Sequence, residues 1–262
     1  MDIGSIGVAQ LEVFMLALAR TAGIFTLAPI FGSSQVPVQV RVLVAVSIAL
    51  VFVPLCASAT PAPPAVDLLP MAALMIKEAL VGLAVGFVTN LVFAAIQAAG
   101  DLIDIQSGFS FAAVLDPVYG SQTAIAGRVH HLLAGLLFFV TNAHHVLLAG
   151  LADSFRIIPV AELSLNPAAA GGALNLFAAF FAVALKIAAP VLAAVFLADV
   201  ALAVISRGAP QMNVLFVGMP LKLGVGLVGM AIALPVMLAG SRDALGDIGY
   251  QIAAMARILA LH

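Results

Sequence analysis

The chain alternates long apolar segments with shorter mixed ones, and the apolar segments have the length of membrane-spanning helices. A helix that crosses about 30 Å of hydrocarbon needs about 20 predominantly apolar residues. Six segments reach or approach that length, at about 11–31, 42–59, 79–100, 129–152, 167–204 and 223–241. The pattern therefore predicts an all-α, polytopic membrane protein with about six apolar helical segments.

The segment 242–262 has a different pattern from the six apolar ones. Its apolar residues recur at three- and four-residue intervals, with polar residues between them. These apolar residues are Leu245, Ile248, Ile252, Met255, Ile258 and Leu259. The spacing predicts a C-terminal amphipathic helix, which suits either the membrane surface or a protein partner.

Two connections between the predicted helices are unusually apolar. The stretches 101–128 and 205–222 mix turn-forming residues with Phe, Leu, Val and Met. A loop in water would be more polar, so both stretches are predicted to be irregular backbone that surrounding protein holds at membrane depth. The whole chain, 1–262, is interpreted as a single domain.

The composition supports a membrane location. Hydrophobic side chains make up 64% of the 262 residues and charged ones only 8%, against about 25% charged residues in a soluble chain. This shortage of polar surface excludes a soluble or disordered protein. The net charge of −2 and the single Cys56 exclude a nucleic-acid binder and a disulfide-built module.

Two cations, Arg20 and Lys186, lie inside predicted apolar helices. An ionised side chain at the centre of a membrane helix costs about 2.5–3.5 kcal/mol on insertion scales and usually faces protein or a wet cavity. Both residues are therefore candidates for subunit pairing or for a wet path. Snorkelling to the interface is the alternative, and it suits Lys186 poorly because apolar residues extend far on both sides of it.

Other polar residues give weaker indications of chemistry. The histidine pairs 130–131 and 144–145 are separated by about 21 Å of helix, too far for one metal ion. Asp101 and Asp104 could share a helix face as proton-relay carboxylates do, although turn and capping roles are favoured directly after Gly100. The chain has no Walker-type loop, no Gly-x-Gly-x-x-Gly that follows a predicted strand and no HExxH motif. We therefore expect a non-enzymatic protein with no metal and no cofactor.

Lysine and arginine residues indicate no orientation in the membrane. With six spans assumed, four fall on each side, whereas most membrane proteins show a bias toward one side. The two sets are Arg41, Arg128, Arg207 and Lys222, and Lys77, Arg156, Arg242 and Arg257.

Three groups of residues, in order along nearly the whole chain, match one family pattern. The first is Arg20-x-x-Gly23, Ala28-Pro29-x-Phe31-Gly32 and Val36-Pro37-x-x-Val40-Arg41. The second is Lys77-Glu78-x-x-x-Gly82-x-x-x-Gly86, Ala99-Gly100-Asp101-x-Ile103-x-x-Gln106-x-Gly108-x-Ser110-Phe111-Ala112 and Asp116-Pro117. The third is Asn142-x-His144, Ser154-Phe155-x-x-x-Pro159, Ser206-Arg207-x-x-Pro210-Gln211-x-Asn213-Val214 and Gly218-x-Pro220-Leu221-Lys222. Together they resemble the FliR family of flagellar export-gate proteins and its injectisome relative, SctT.

The resemblance implies a core subunit of a type III protein-export gate in the bacterial inner membrane, at the flagellar basal body. It implies helical hairpins, FliP-like, FliQ-like and FlhB-like partners, contact with membrane lipid, and unfolded secretion substrates in transit. Gly218-Met219-Pro220-Leu221-Lys222 favours the flagellar system over the injectisome. A small-molecule secondary transporter built around Lys186 is the other alternative, but no inverted repeat supports it.

The resemblance also implies a pore plug at about 110–126. The implied pore and plug residues are Gln106, Gly108, Phe109, Ser110, Phe111, Val114, Leu115, Asp116 and Pro117. Apolar, deformable side chains among them suit a seal that stops ions yet yields to a polypeptide. The predicted subunit-contact or buried-charge residues are Arg20, Lys186, Arg207, Pro210, Gln211 and Lys222.

Overall fold

The computed structural model describes residues 3–33, 35–59, 67–109, 125–162, 168–209, 211 and 213–260. Within these ranges the chain forms eight α-helices and no strand. The helices are α1 (Ile3–Leu27), α2 (Val38–Ala59), α3 (Leu68–Ser107), α4 (Ile125–Val140), α5 (Ala143–Ile157), α6 (Ala168–Gly208), α7 (Val214–Gly246) and α8 (Ile248–Ala260). The predicted all-α fold is confirmed.

Five stretches of helix in the described chain are long and apolar enough to cross a membrane. They are Gln10–Leu27, Val38–Ala57, Leu68–Ser107, Leu174–Gly208 and Phe216–Ala260, the last of which runs through α7 and α8. The pair α4 and α5 passes the same test when taken together and makes a possible sixth span. This agrees with the prediction of about six apolar helical segments.

The helices extend further into the two mixed connections than the sequence predicts. Helix α3 continues through Asp101 and Asp104 to Ser107, and α4 begins at Ile125. Likewise α6 continues to Gly208, and α7 begins at Val214. The prediction of irregular backbone across all of 101–128 and 205–222 is therefore wrong, because the carboxylates in α3 sit within a helix instead of ending it.

The predicted fourth segment, 129–152, is not one helix. It breaks between α4 and α5 at Thr141 and Asn142, and Asn142 has a left-handed backbone with φ of 58°. Asparagine adopts this conformation more readily than most residues with a Cβ atom. The break follows from that local preference, which a count of apolar residues does not detect.

The contacts divide the chain into two compact units. Unit 1 contains residues 1–92, 142–177 and 246–262, and so holds α1, α2, the first part of α3, α5 and α8. In it α1 packs on α2, and α8 packs on α5. Ile252 of α8 lies against Gly150 of α5. The C-terminal amphipathic helix thus buries its apolar face on its own chain, with Ala256 beside Val81 and Ile158.

Unit 2 contains residues 93–141 and 178–245, and so holds the end of α3, α4 and most of α6 and α7. Phe93 and Phe138 meet edge-on with ring centroids 5.4 Å apart, which joins α3 to α4. Gly229 of α7 lies in van der Waals distance of Val191, which joins α7 to α6. Many large apolar side chains of α6 and α7 are nevertheless exposed in this chain, as expected for surfaces that meet lipid or other subunits.

Candidate functional site

Arg20, one of the two cations predicted inside an apolar helix, is fully buried in unit 1. Its Nε donates to Oε2 of Glu78 in α3 at 2.6 Å. Its Nη1 donates to the carbonyl oxygens of Ser154 and Ile158, both at 2.9 Å. A buried cation needs a counter-ion and several acceptors, and here α3 and the C-terminal end of α5 supply them.

The Glu78 carboxylate connects the ion pair to a further part of the chain. Its Oε1 accepts the backbone N–H of Ala161 at 2.8 Å, so both of its oxygens are hydrogen-bonded. The guanidinium carbon of Arg20 lies 4.3 Å from the centroid of the Phe155 ring, a cation–π distance. The pair thereby fastens α1, α3, α5 and the turn after α5 to one another.

Two glycines allow α1 and α3 to approach closely enough for this pair to form. A methyl group on Gly23 would lie 2.6 Å from the Ala79 carbonyl oxygen. A methyl group on Gly82 would collide with the Arg20 carbonyl oxygen. Small residues at a membrane-helix crossing permit backbone contact. The residues shared with the family pattern in 20–23, 77–86 and 154–159 therefore meet at one place.

A second polar network, in unit 2, centres on Asp199 of α6. Its Oδ1 lies 2.9 Å from Nζ of Lys222 in α7, and its Oδ2 accepts Nε2 of Gln106 in α3 at 3.0 Å. Gly226, one turn after Lys222, packs directly on Ser107. Two predicted site residues from distant parts of the chain, Gln106 and Lys222, therefore meet through an aspartate.

A third contact joins α3 to the start of α4 in unit 2. Asp104 is fully buried, and its Oδ2 accepts the backbone N–H of Gly127 at 3.1 Å. A methyl group on Gly100 would lie 2.5 Å from the Ala126 carbonyl oxygen. Asp104 thus bonds to the first turn of α4, which is a capping contact with another helix. The favoured turn role is wrong because α3 continues past Gly100. Residues on both sides of 110–124 are held together at this contact.

The predicted plug lies mostly beyond what the structure describes. Gln106 belongs to the polar network around Asp199, and Phe109 is partly buried. Gly108 has φ of 81°, a left-handed conformation that favours glycine and suits the end of α3. The predicted residues outside the described ranges are Ser110, Phe111, Val114, Leu115, Asp116 and Pro117.

The remaining predicted contact residues lie on the surface of this chain where they are described. Lys186 is exposed on α6, and no ion pair to it is found among the described residues. Arg207 and Gln211 are also exposed, whereas Pro210 is outside the described ranges. Lys186 and Arg20 thus differ: the chain neutralises Arg20 internally and presents Lys186 outward.

No three His, Cys, Asp or Glu side chains converge as metal ligands within the described ranges. His130 is buried and its Nδ1 lies 2.7 Å from the Ala126 carbonyl oxygen.

Two further residues, Glu78 and Asp199, were not among the predicted site residues. The available signal was charge pairing, because each is an acid in an apolar helix with a cation in another helix of the same chain.

The family model and the individual relatives that match this chain agree with one another. The family model described as Bacterial export proteins, family 1, matches residues 11–248. Flagellar biosynthetic protein FliR of Bacillus subtilis (strain 168) is 35% identical over 252 residues, which cover 95% of each chain. FliR of Escherichia coli (strain K12) is 31% identical, over 87% of this chain and 86% of the relative. Yop proteins translocation protein T of Yersinia pestis is 34% identical, over 69% of this chain and 70% of the relative.

These relatives are named as biosynthetic or translocation components, and none of the three is named as an enzyme. The match extends over both polar networks, since 11–248 includes Arg20, Glu78, Asp199 and Lys222. With its apolar helices and this coverage, the chain belongs to the bacterial export protein family 1, the FliR family of membrane proteins of type III export.

Proposed function

We propose that this chain is a core subunit of the flagellar type III export gate in the bacterial inner membrane. With FliP-like and FliQ-like subunits, and next to an FlhB-like one, it forms the channel through which unfolded flagellar subunits are secreted. Residues 1–262 act as one subunit in this assembly. The observation that carries the proposal, beyond family membership, is the exposed Lys186 in the middle of the apolar stretch Leu174–Gly208.

An ammonium group facing lipid at this position is unfavourable. Lys186 lies about 18 Å from the nearer end of the apolar stretch, at 1.5 Å rise per residue, so its side chain is too short to reach water by snorkelling. The cost of an exposed cation there is about 2.5–3.5 kcal/mol on insertion scales. A partner subunit that brings a carboxylate or a wet channel wall removes that cost.

The neighbours of Lys186 on α6 suit a helix partner better than lipid. Ala182, Ala189 and Pro190, at i−4, i+3 and i+4, are all exposed, and residues at these spacings share a helix face. Small residues around a polar one are typical of membrane-helix interfaces. This face therefore supports close packing against another subunit.

We further propose that about 110–126 plugs the channel before secretion, with Phe109, Phe111, Val114 and Leu115 as the seal. The Asp104 contact with Gly127 supports this role, because it holds together the described residues on either side of the segment. An apolar constriction blocks ions by excluding water. Branched aliphatic and aromatic side chains that are held only by apolar contact can still be displaced by a polypeptide.

The flagellar assignment has support beyond the sequence motif. The similarity to FliR of Bacillus subtilis extends over 95% of the chain, whereas that to the Yop translocation protein extends over 69%. The second candidate is an injectisome subunit of the SctT type, which the 34% identity to that Yop protein favours. Both assignments place the chain in the same kind of assembly.

Purification of the complex tests the proposal. The tagged chain is co-expressed with the FliP-like and FliQ-like chains of the same bacterium, and the masses of the intact complexes are measured. We expect one heteromeric complex with unequal copy numbers. A monodisperse homo-oligomer, the behaviour of a transporter, would refute the gate.

Variants at Lys186 test the observation itself. Lys186→Ala is expected to lower the yield of complex several-fold while the amount of inserted chain stays unchanged, and Lys186→Arg, which keeps the charge, is expected to restore most of the yield. Arg156→Ala is the matched control, since Arg156 is an exposed cation in a surface ion pair. A normal complex yield for Lys186→Ala would end the pairing role.

A further inference from the structure

Asp199 joins three helices of unit 2 through a single carboxylate. One oxygen lies 2.9 Å from Nζ of Lys222 in α7 and the other accepts Nε2 of Gln106 in α3 at 3.0 Å. Asp199 itself belongs to α6. Each oxygen therefore contacts a different helix.

The backbones of α3 and α7 approach each other closely beside this network. Lys222 and Gly226 share a face of α7, at i and i+4, and Gln106 and Ser107 are the last two residues of α3. A methyl group on Gly226 would lie 2.7 Å from Cβ of Ser107. The polar network thus lies beside a glycine contact, and both hold the end of α3 against α7.

The electrostatics make this network hard to replace. Asp199 and Lys222 retain 35% and 25% of their side-chain exposure and lie in helices of high hydropathy. Removal of one charge leaves the other, which is partly exposed, without its counter-ion on an apolar helix. Gln106 has no charge, so its only role in the network is to attach the end of α3 to the ion pair.

We infer that Asp199 is a positioning residue that holds the C-terminal end of α3 on α6 and α7 and thereby keeps the gate closed to ions at rest. The statement about ions rests on the proposed function, whereas the statement about position does not. Asp199 acts through Gln106, the second-last residue of α3, and Gly108 follows directly after the helix. Loss of this attachment frees the end of α3 without removing either charge.

The first variant is Gln106→Leu, which keeps the size and helix preference of the side chain and leaves the ion pair intact. Hydrogen exchange is measured by mass spectrometry on the assembled complex. Because a hydrogen bond to a charged group is lost, amides in 101–108 are expected to exchange about tenfold faster. Those in 78–90 of the same helix serve as the internal control and are expected to stay unchanged.

The second measurement is ion conductance of the complex in planar lipid bilayers. Gln106→Leu and Asp199→Asn are each expected to raise the resting conductance several-fold. The double variant Asp199→Lys/Lys222→Asp is expected to restore it, because the ion pair is reversed and the Gln106 carbonyl oxygen accepts from the new lysine. Asp153→Asn, which removes an exposed acid of unit 1, is the matched control and should leave the conductance unchanged.

The outcomes are separable from those of the proposed function. If complexes assemble and Gln106→Leu changes neither exchange nor conductance, the positioning role of Asp199 is wrong. If even the unaltered chain forms no complex with FliP-like and FliQ-like subunits, the proposed function fails instead. In that case hydrogen exchange in residues 101–108 is measured on the chain alone in detergent. Faster exchange in Gln106→Leu than in the unaltered chain supports the positioning role of Asp199, and equal exchange overturns it.

Discussion

Removal of the Glu78 carboxylate should destabilise the protein strongly, because the Arg20 guanidinium would remain buried without its counter-ion. Both side chains are fully buried, and Nε and Oε2 are 2.6 Å apart. Removing one partner of a buried pair costs about 3–5 kcal/mol. Glu78→Ala also leaves the N–H of Ala161 without its acceptor, which adds about 1 kcal/mol at a partly buried donor.

The expected loss in the free energy of unfolding for Glu78→Ala is therefore about 4–6 kcal/mol. The two carbonyl acceptors and the Phe155 ring stay in place around Arg20, so the cation is not entirely without partners. A loss of this size is a large part of the 5–15 kcal/mol that typically separates the folded from the unfolded state. The folded yield of the variant should fall accordingly.

The assay is unfolding of the purified chain in mixed detergent micelles, followed by circular dichroism. Asp153→Ala is the control, since it breaks an ion pair whose side chains are 66% and 50% exposed and should cost less than about 1 kcal/mol. The double variant Arg20→Met/Glu78→Leu removes both charges and should be more stable than Glu78→Ala alone. Equal losses of unfolding free energy for Glu78→Ala and Asp153→Ala would refute the reasoning. A double variant less stable than Glu78→Ala would also refute it.

Two further predictions concern backbone contact and the plug. Gly82→Ala should lower the free energy of unfolding by about 1–3 kcal/mol, because the new methyl group collides with the Arg20 carbonyl. Gly224→Ala, in open space on α7, should raise the free energy of unfolding by about 0.5–1 kcal/mol. Both variants are compared in the same micelle assay, and equal effects would contradict the close approach of α1 and α3 at Gly82. Phe111→Asp and Leu115→Asp should each raise the resting ion conductance of the reconstituted complex by hydrating the seal. The matched control is Tyr250→Asp, a charge at an exposed position of α8, and conductance that does not change with Phe111→Asp would exclude the plug role.

The class of the fold follows from the sequence, whereas the ends of the helices do not. Apolar length alone predicts the membrane helices, because lipid requires every backbone group to be bonded within the segment. Asp101 and Asp104 look like helix-ending residues when only neighbours in sequence are considered. They remain helical because Asp104 finds a donor in Gly127, 23 residues away, and that partner is set by tertiary contact.

The candidate site, like the fold, is predicted only in part by the sequence. A cation such as Arg20 inside an apolar segment indicates that a counter-charge exists, because an unpaired one costs too much. The sequence does not say whether that charge is Glu78 of the same chain or a residue of another subunit. Asp199 shows the reverse case, since it belongs to none of the sequence patterns above, yet it organises the contacts of Gln106 and Lys222.

The packing of α8 on α5 has a consequence for how the chain is made. Unit 1 is assembled from three stretches, and its third, 246–262, is synthesised after all of unit 2. Ile252 and Ala256 are fully buried in unit 1, so a nascent chain that stops before them leaves an apolar hollow on α5 and α3. Unit 1 therefore closes only after α8 has been synthesised, although α1, α2 and α5 are made earlier.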